Sequence, residues 1–148
     1  MKRTLLIIIT FFIGSIASAQ YVESFSDREL QRLFASTGTD SIVEVEEGRF
    51  ILYYGKVAVN LYNDLGGDLM LAWGMEGACS DALIHRWNEV RFSKSYIDKE
   101  GDVVLSSHLR SGCITADDVL EWQQAFVEDQ KLFVDLVLEN RSLDQGEE

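Results

Sequence analysis

His85 sits with Asp81 and Glu89 four residues to either side, a spacing that lines three possible metal ligands along one helical stripe. Two carboxylates and an imidazole can hold a divalent cation. The stripe lies away from the apolar Leu83, Trp87 and Val90, however, and so reads first as the solvated face of an amphipathic helix. A second acidic cluster, Asp98, Glu100 and Asp102, surrounds Gly101 and offers the oxygens that calcium takes. An EF-hand loop needs acidic or amide ligands at positions 1, 3 and 5 and a Glu at 12. With Gly101 as the loop glycine, Tyr96 falls at the first position and Ser107 at the twelfth, so the pattern fails. A Gly-containing turn between two strands accounts for the same residues.

Other chemistries find less support. The chain holds no GxSxG elbow and no HExxH, and neither His85 nor His108 is tied by spacing to a Ser or Cys. Gly66-Gly67 is flanked by Asp64 and Asp68, which repel phosphate. Carboxylate pairs abound among 25 acidic residues and are for that reason unspecific. The expectation is a protein without catalytic residues, metal or cofactor. The rival is an enzyme or small-ligand binder whose site assembles only in space.

The elements that must position these residues follow from caps and periodicity. Ser26-Asp27-Arg28-Glu29 is a capping box and predicts a first helix over about 26–36. Period-two alternation then predicts strands at Ile42–Glu46, Arg49–Tyr54, around Val57–Leu61 and around Leu69–Met75. Ser80 caps a helix over about 81–92 whose Leu83, Trp87 and Val90 share a face. Strands over about 94–99 and 102–109 follow, and Thr115-Ala116-Asp117-Asp118 opens a long helix reaching Glu139. The order α-β-β-β-β-α-β-β-α makes an α+β domain, an antiparallel sheet flanked by helices.

The ends carry other information. Lys2 and Arg3, the apolar run Leu5 to Ile16 and the small residues Ala17-Ser18-Ala19 form a secretory signal over 1–19, cleaved near Ala19-Gln20. The expected product is a single domain over 20–141 with a frayed acidic tail over 142–148, exported to the periplasm or beyond and not inserted in the membrane. The chain's formal charge is −12, and the leader removes two basic residues and no acidic one. Such acidity excludes a nucleic-acid binder and favours a basic protein partner over an acidic one. Cys79 and Cys113 are an even pair in an exported chain, each just before a helix, which predicts a disulfide. Closing that loop of roughly 35 residues would stabilise by about 3–4 kcal/mol.

The remaining signal is aromatic. Trp73, Trp87, Trp122, Phe92 and Tyr96 can line a groove for an apolar peptide or fill the core. The last helix is apolar on more than one stripe, so Trp122, Phe126, Phe133 and Leu136 are the candidate surface for a partner or a second copy of the chain. The densest motif is RWNEVRFSKSYIDKEGD, and with the following strand, Gly112-Cys113-Ile114-Thr115 and the last helix it resembles the YbjN family of bacterial sensory transduction regulators. The residues that carry the resemblance are Trp87, Asn88, Arg91, Phe92, Lys94, Tyr96, Asp98, Gly101 and Asp102, and it covers about residues 79–138. It implies the type III secretion chaperone fold and a regulatory or protein-binding role without catalysis. The expected function is therefore an exported, chaperone-like binding module of the bacterial envelope.

Overall fold

Each helix begins where a side chain closes its first turn. Ser26 Oγ accepts the Glu29 N–H at 3.4 Å while Glu29 Oε2 accepts the Ser26 N–H at 2.8 Å, and helix α1 runs Asp27–Ala35. Ser80 Oγ accepts from Leu83 N–H at the head of α2, Asp81–Val90. Thr115 and Asp118 repeat the reciprocal box at the head of α3, Ala116–Asp144, at 3.2 and 2.7 Å. These features belong to a computed structural model that describes residues 21–65 and 67–144. The expected leader over 1–19 and the last four residues of the tail lie outside them. Among the described residues no helix is long and apolar enough to cross a membrane.

Six strands make one antiparallel sheet: β1 Ser41–Glu46, β2 Arg49–Tyr54, β3 Val57–Leu65, β4 Asp68–Met75, β5 Lys94–Ile97 and β6 Val103–Leu109. The element order is the expected one. In space the strands run β1-β2-β3-β4-β6-β5, because α2 carries the chain outward to the edge strand β5 and β6 returns between β5 and β4. Period two sets the layering: Phe50, Leu52, Val59, Leu61, Leu69, Leu71, Val103 and Leu105 are all buried, and their neighbours along each strand face outward. Leu30 and Phe34 of α1 and Val119, Phe126, Phe133 and Val137 of α3 cover that buried face.

The buried stripe of α3 has two polar members. Gln123 and Gln130 alternate with the apolar residues at spacings of three and four, and both are buried. Gln123 Nε2 donates to Tyr54 Oη at 2.5 Å.

Two expectations change here. The last helix continues beyond Glu139 to Asp144, because the Arg141 guanidinium donates to the carbonyls of Glu76, Gly77 and Ala78 and pins the final turn to the β4–α2 loop. Asn140 Oδ1 also accepts the Ser80 N–H at 3.0 Å. The start of α2 therefore lies beside the end of α3 and not beside its start. This placement separates the cysteines: Cys79 is buried near Arg141, Cys113 is exposed just before Ala116, and both thiols are free. Ala116 and Asn140 are about 36 Å apart along the helix at 1.5 Å per residue. A bridge needs Cα atoms within roughly 7 Å. The expected disulfide is overturned by that distance.

Candidate functional site

The motif from Arg86 to Asp102 folds into the corner where α2 meets β5, and most of its polar side chains are engaged. Trp87 is buried, stacks at a tilt on Phe133 with ring centroids 4.7 Å apart, and donates its indole N–H to the Ser93 carbonyl at 3.1 Å. Asn88 treats the edge strand as a peptide would. Its Oδ1 accepts the Ser95 N–H at 2.8 Å and its Nδ2 donates to the Ser95 carbonyl at 2.9 Å. The side chain thus satisfies one residue of an edge that another strand would otherwise seek.

Beyond α2 the chain is held just as closely. Lys94 Nζ donates to the carbonyls of Asn88 and Arg91 at 2.7 and 2.8 Å, closing the negative end of the helix. Arg91 lies over the Trp87 ring at 5.5 Å and pairs with Asp129 Oδ1 at 3.3 Å, while Ser93 Oγ donates to Asp129 Oδ2 at 2.5 Å. Asp98 Oδ1 accepts the N–H groups of Glu100 and Asp102 at 3.0 and 2.9 Å, Gly101 takes a positive φ of 89°, and Asp102 Oδ1 accepts the Gly77 N–H at 2.9 Å. These acidic residues make a hairpin turn: Asp98 and Asp102 each turn one carboxylate oxygen to backbone donors, and Glu100 pairs with Lys99.

The most exposed side chain in this framework has no such role. Phe92 is 99% exposed, although Arg91, Ser93, Lys94 and Ser95 beside it are all tied down. Val90, expected on the buried face of α2, is instead 71% exposed, whereas Trp87 is buried and Leu83 is half-buried against the core. Next to it, between α2 and α3, lies a groove of about 190 Å³ lined by Leu83, Trp87, Val90, Leu132 and Leu136, with Arg86 and Arg91 among its walls. Leu132 is itself exposed. The result is an apolar ridge and notch with basic edges.

The expected surface on α3 divides. Phe126 and Phe133 are core residues at 2% and 0% exposure and present nothing to a partner. Trp122 is half-buried and donates Nε1–H to Ser107 Oγ at 2.9 Å. Only Leu136 belongs to the groove. Tyr96 is exposed on the opposite side of β5 from Ser95. Asp81, His85 and Glu89 are exposed along α2, and among the described residues no three His, Cys, Asp or Glu come together as a metal site.

The shifted titrations follow from caps and burial. Hydrogen bonds from Ser26 hold the Glu29 carboxyl below its ordinary value, and those from Thr115 do the same for Asp118. Burial pushes the Tyr54 phenol up, against opposing bonds from Thr39 and Gln123, and raises the Cys79 thiol despite the nearby Arg141. None of the four lies in a cluster suited to acid–base work. Neither a family model nor a curated protein matches the chain.

Proposed function

We propose that this chain is a non-enzymatic protein-binding module of the bacterial envelope, and that it docks through Phe92 and the adjoining α2–α3 groove. The observation that carries the reading is the contrast at Phe92: a large apolar side chain fully in water between neighbours whose own side chains are hydrogen-bonded to the domain. Such an arrangement suits recognition, because little conformational entropy is lost when a pre-positioned aromatic enters a partner's pocket. The groove beside it takes one apolar side chain in return. Arg91 at the groove is neutralised by Asp129, while Arg86 beside it has no ion pair among the described residues and offers a cation at the margin. The partner therefore offers an apolar pocket and a protruding aliphatic or aromatic residue with carboxylates at its margin. Net charge alone favours a basic partner; this surface favours an acidic margin on whatever binds. The expected leader over 1–19 supports an encounter outside the cytoplasm. The resemblance of residues 79–138 to the YbjN family points to the same class of role.

A photo-crosslinking residue at position 92, used in intact envelopes, tests the reading. The expected result is one discrete crosslinked protein whose yield falls when Leu136→Glu places a charge in the groove. Crosslinking no greater than from the exposed turn position Glu100 would sink it.

A further inference from the structure

The helices cover only one face of the sheet. α1 and α3 lie on the side of Phe50, Leu61 and Leu71, and α2 packs against α3 and the outer strand β5. Residues opposite one another on neighbouring strands share a face, so the register gives the other side row by row. One row runs Arg49, Tyr62, Met70 and His108 across β2, β3, β4 and β6. The next runs Val43, Ile51, Asn60, Ala72, Ser106 and Lys94, from one edge of the sheet to the other. A third sets Tyr53 beside Ala58 and, on the far strands, Gly74 beside Val104 and Tyr96. A cleft of about 670 Å³ opens between Ala58 and Gly74, past the end of the β3–β4 ladder at Asn60↔Ala72, and has Gln130 of α3 in its lining.

This face differs from the rest of the surface in charge. The chain has 25 acidic residues and a formal charge of −12, yet none of the three rows holds a carboxylate. The nearest, Glu46, stands opposite Arg49 on β1 and pairs with it at 3.3 Å. The Arg49 guanidinium lies over the Tyr62 ring at 5.4 Å, with Nη2 donating to Asn60 Oδ1 at 3.5 Å. The Lys94 ammonium is drawn away to the end of α2. What remains is apolar and aromatic: Val43 and Tyr96 are exposed, and Ile51, Tyr53, Tyr62 and Met70 are half-buried. Tyrosine, methionine and arginine without acidic residues is the composition of an interface core.

We propose that a second copy of this chain covers this face, the two sheets stacking about 10 Å apart as in a sandwich. Charge selects that occupant. A basic partner would find no carboxylate on the face, and an acidic one would find its cations already engaged. Two copies, each strongly acidic elsewhere, meet here without opposing carboxylates. The area agrees with a reversible pair. Six strands about 4.8 Å apart and three rows about 6.8 Å apart make roughly 600 Å² per copy. About 1,200 Å² in all is the lower end for a specific interface. Phe92 lies at the α2–β5 corner and not on this face, so either reading can fail without the other.

Methionine methyl groups give a direct test. Met70 is on the proposed interface, Met75 lies on the opposite side against the core, and Met1 belongs to the expected leader. Protein labelled at these methyls is followed by NMR over a dilution series, alongside sedimentation equilibrium. A dimer with Kd on the order of 10 μM is expected, with the Met70 signal moving on dilution and Met75 still. High salt should tighten the dimer by roughly threefold, because it screens the repulsion between two acidic chains. Met70→Glu and Tyr96→Glu should each weaken it by about tenfold or more. Tyr96 is already exposed, so that variant keeps the fold intact. Phe92→Ala should leave the dimer unchanged. The proposal is overturned if the protein stays monomeric at millimolar concentration in low and high salt, or if it dimerises with Met70 unmoved. A monomer whose Met70 signal moves only when another envelope protein is added overturns it as well.

Discussion

The α2–β5 corner and the β3–β4 cleft are opposites in what they present to solvent. At the corner the polar groups are matched, down to the two-point bond between Asn88 and Ser95, and an apolar side chain is left in water. At the cleft the β3–β4 ladder ends at Asn60↔Ala72, and the opening is lined by polar and charged side chains, Gln130, Lys56, Lys131 and Asp135. Only the corner departs from the rule that a domain satisfies its own surface chemistry. The kind of lining states the kind of occupant. Exposed apolar area seeks another apolar surface, whereas an opening lined by polar groups is met by water.

Trp87→Ala bears hardest on this contrast, because it removes the anchor that makes the corner rigid. The indole packs on Phe133 in the core, so a loss of about 3–5 kcal/mol is expected in urea denaturation. A loss below about 1 kcal/mol would mean that the corner is not part of the cooperative core, and the rigid presentation of Phe92 would go with it. Asn88→Ala comes next. It deprives Ser95, a buried residue, of both main-chain partners, and about 1–3 kcal/mol is expected. Hydrogen exchange at the Ser95 amide should accelerate while that of Leu105, its neighbour across the ladder, is less affected. Unchanged exchange at Ser95 would break the account of Asn88 as a cap on the edge strand.

How far this contrast was legible beforehand depends on the range of the contacts. The capping boxes at Ser26 and Thr115 span three residues, and both are present where the sequence placed them. Strand alternation is equally local, and the order of elements follows from it. The errors share a different cause. Arg141 meets Gly77 across more than half the domain, and that contact decides both where α3 ends and which way α2 starts. No local pattern shows it, and the disulfide expectation failed for the same reason. Val90 shares a helical face with Leu83 and Trp87, but periodicity says which residues are level with one another, not how far the covering element extends. One signal was available and unused. Gln123 and Gln130 interrupt an otherwise apolar stripe seven residues apart, and buried polar positions of that kind demand partners. The end of the β3–β4 ladder at Asn60↔Ala72 had no signature at all, since both strands alternate normally past it.

Gln130→Met sharpens the comparison from the other side, and its sign matters more than its size. If the carboxamide has no partner within the protein, replacing it with an apolar side chain of similar length breaks no bond and opens no cavity. Stability should then hold or rise by up to about 1 kcal/mol. The parallel change Gln123→Met should cost about 1 kcal/mol, because it leaves the Tyr54 hydroxyl with only its longer bond from Thr39. Two glutamines on one stripe would thus respond with opposite signs. Equal losses at both would show that Gln130 has a partner of its own, and the cleft would lose its distinguishing group.

Phe92→Ala carries the smallest expected effect on folding, and the smallness is the point. The ring touches water on all sides, so truncating it removes little buried area, and the change in unfolding free energy should stay within about 0.5 kcal/mol. The bonds around it, from Lys94 to the end of α2 and from Asn88 to Ser95, use no atom of the ring and survive the substitution. If stability nonetheless fell by more than about 1 kcal/mol, Phe92 would have to pack against the domain in solution, and the corner would have no apolar side chain left to offer. If stability holds and partner capture in the envelope is lost, the side chain serves binding and not folding. That pairing of outcomes is the one that an exposed aromatic between hydrogen-bonded neighbours requires.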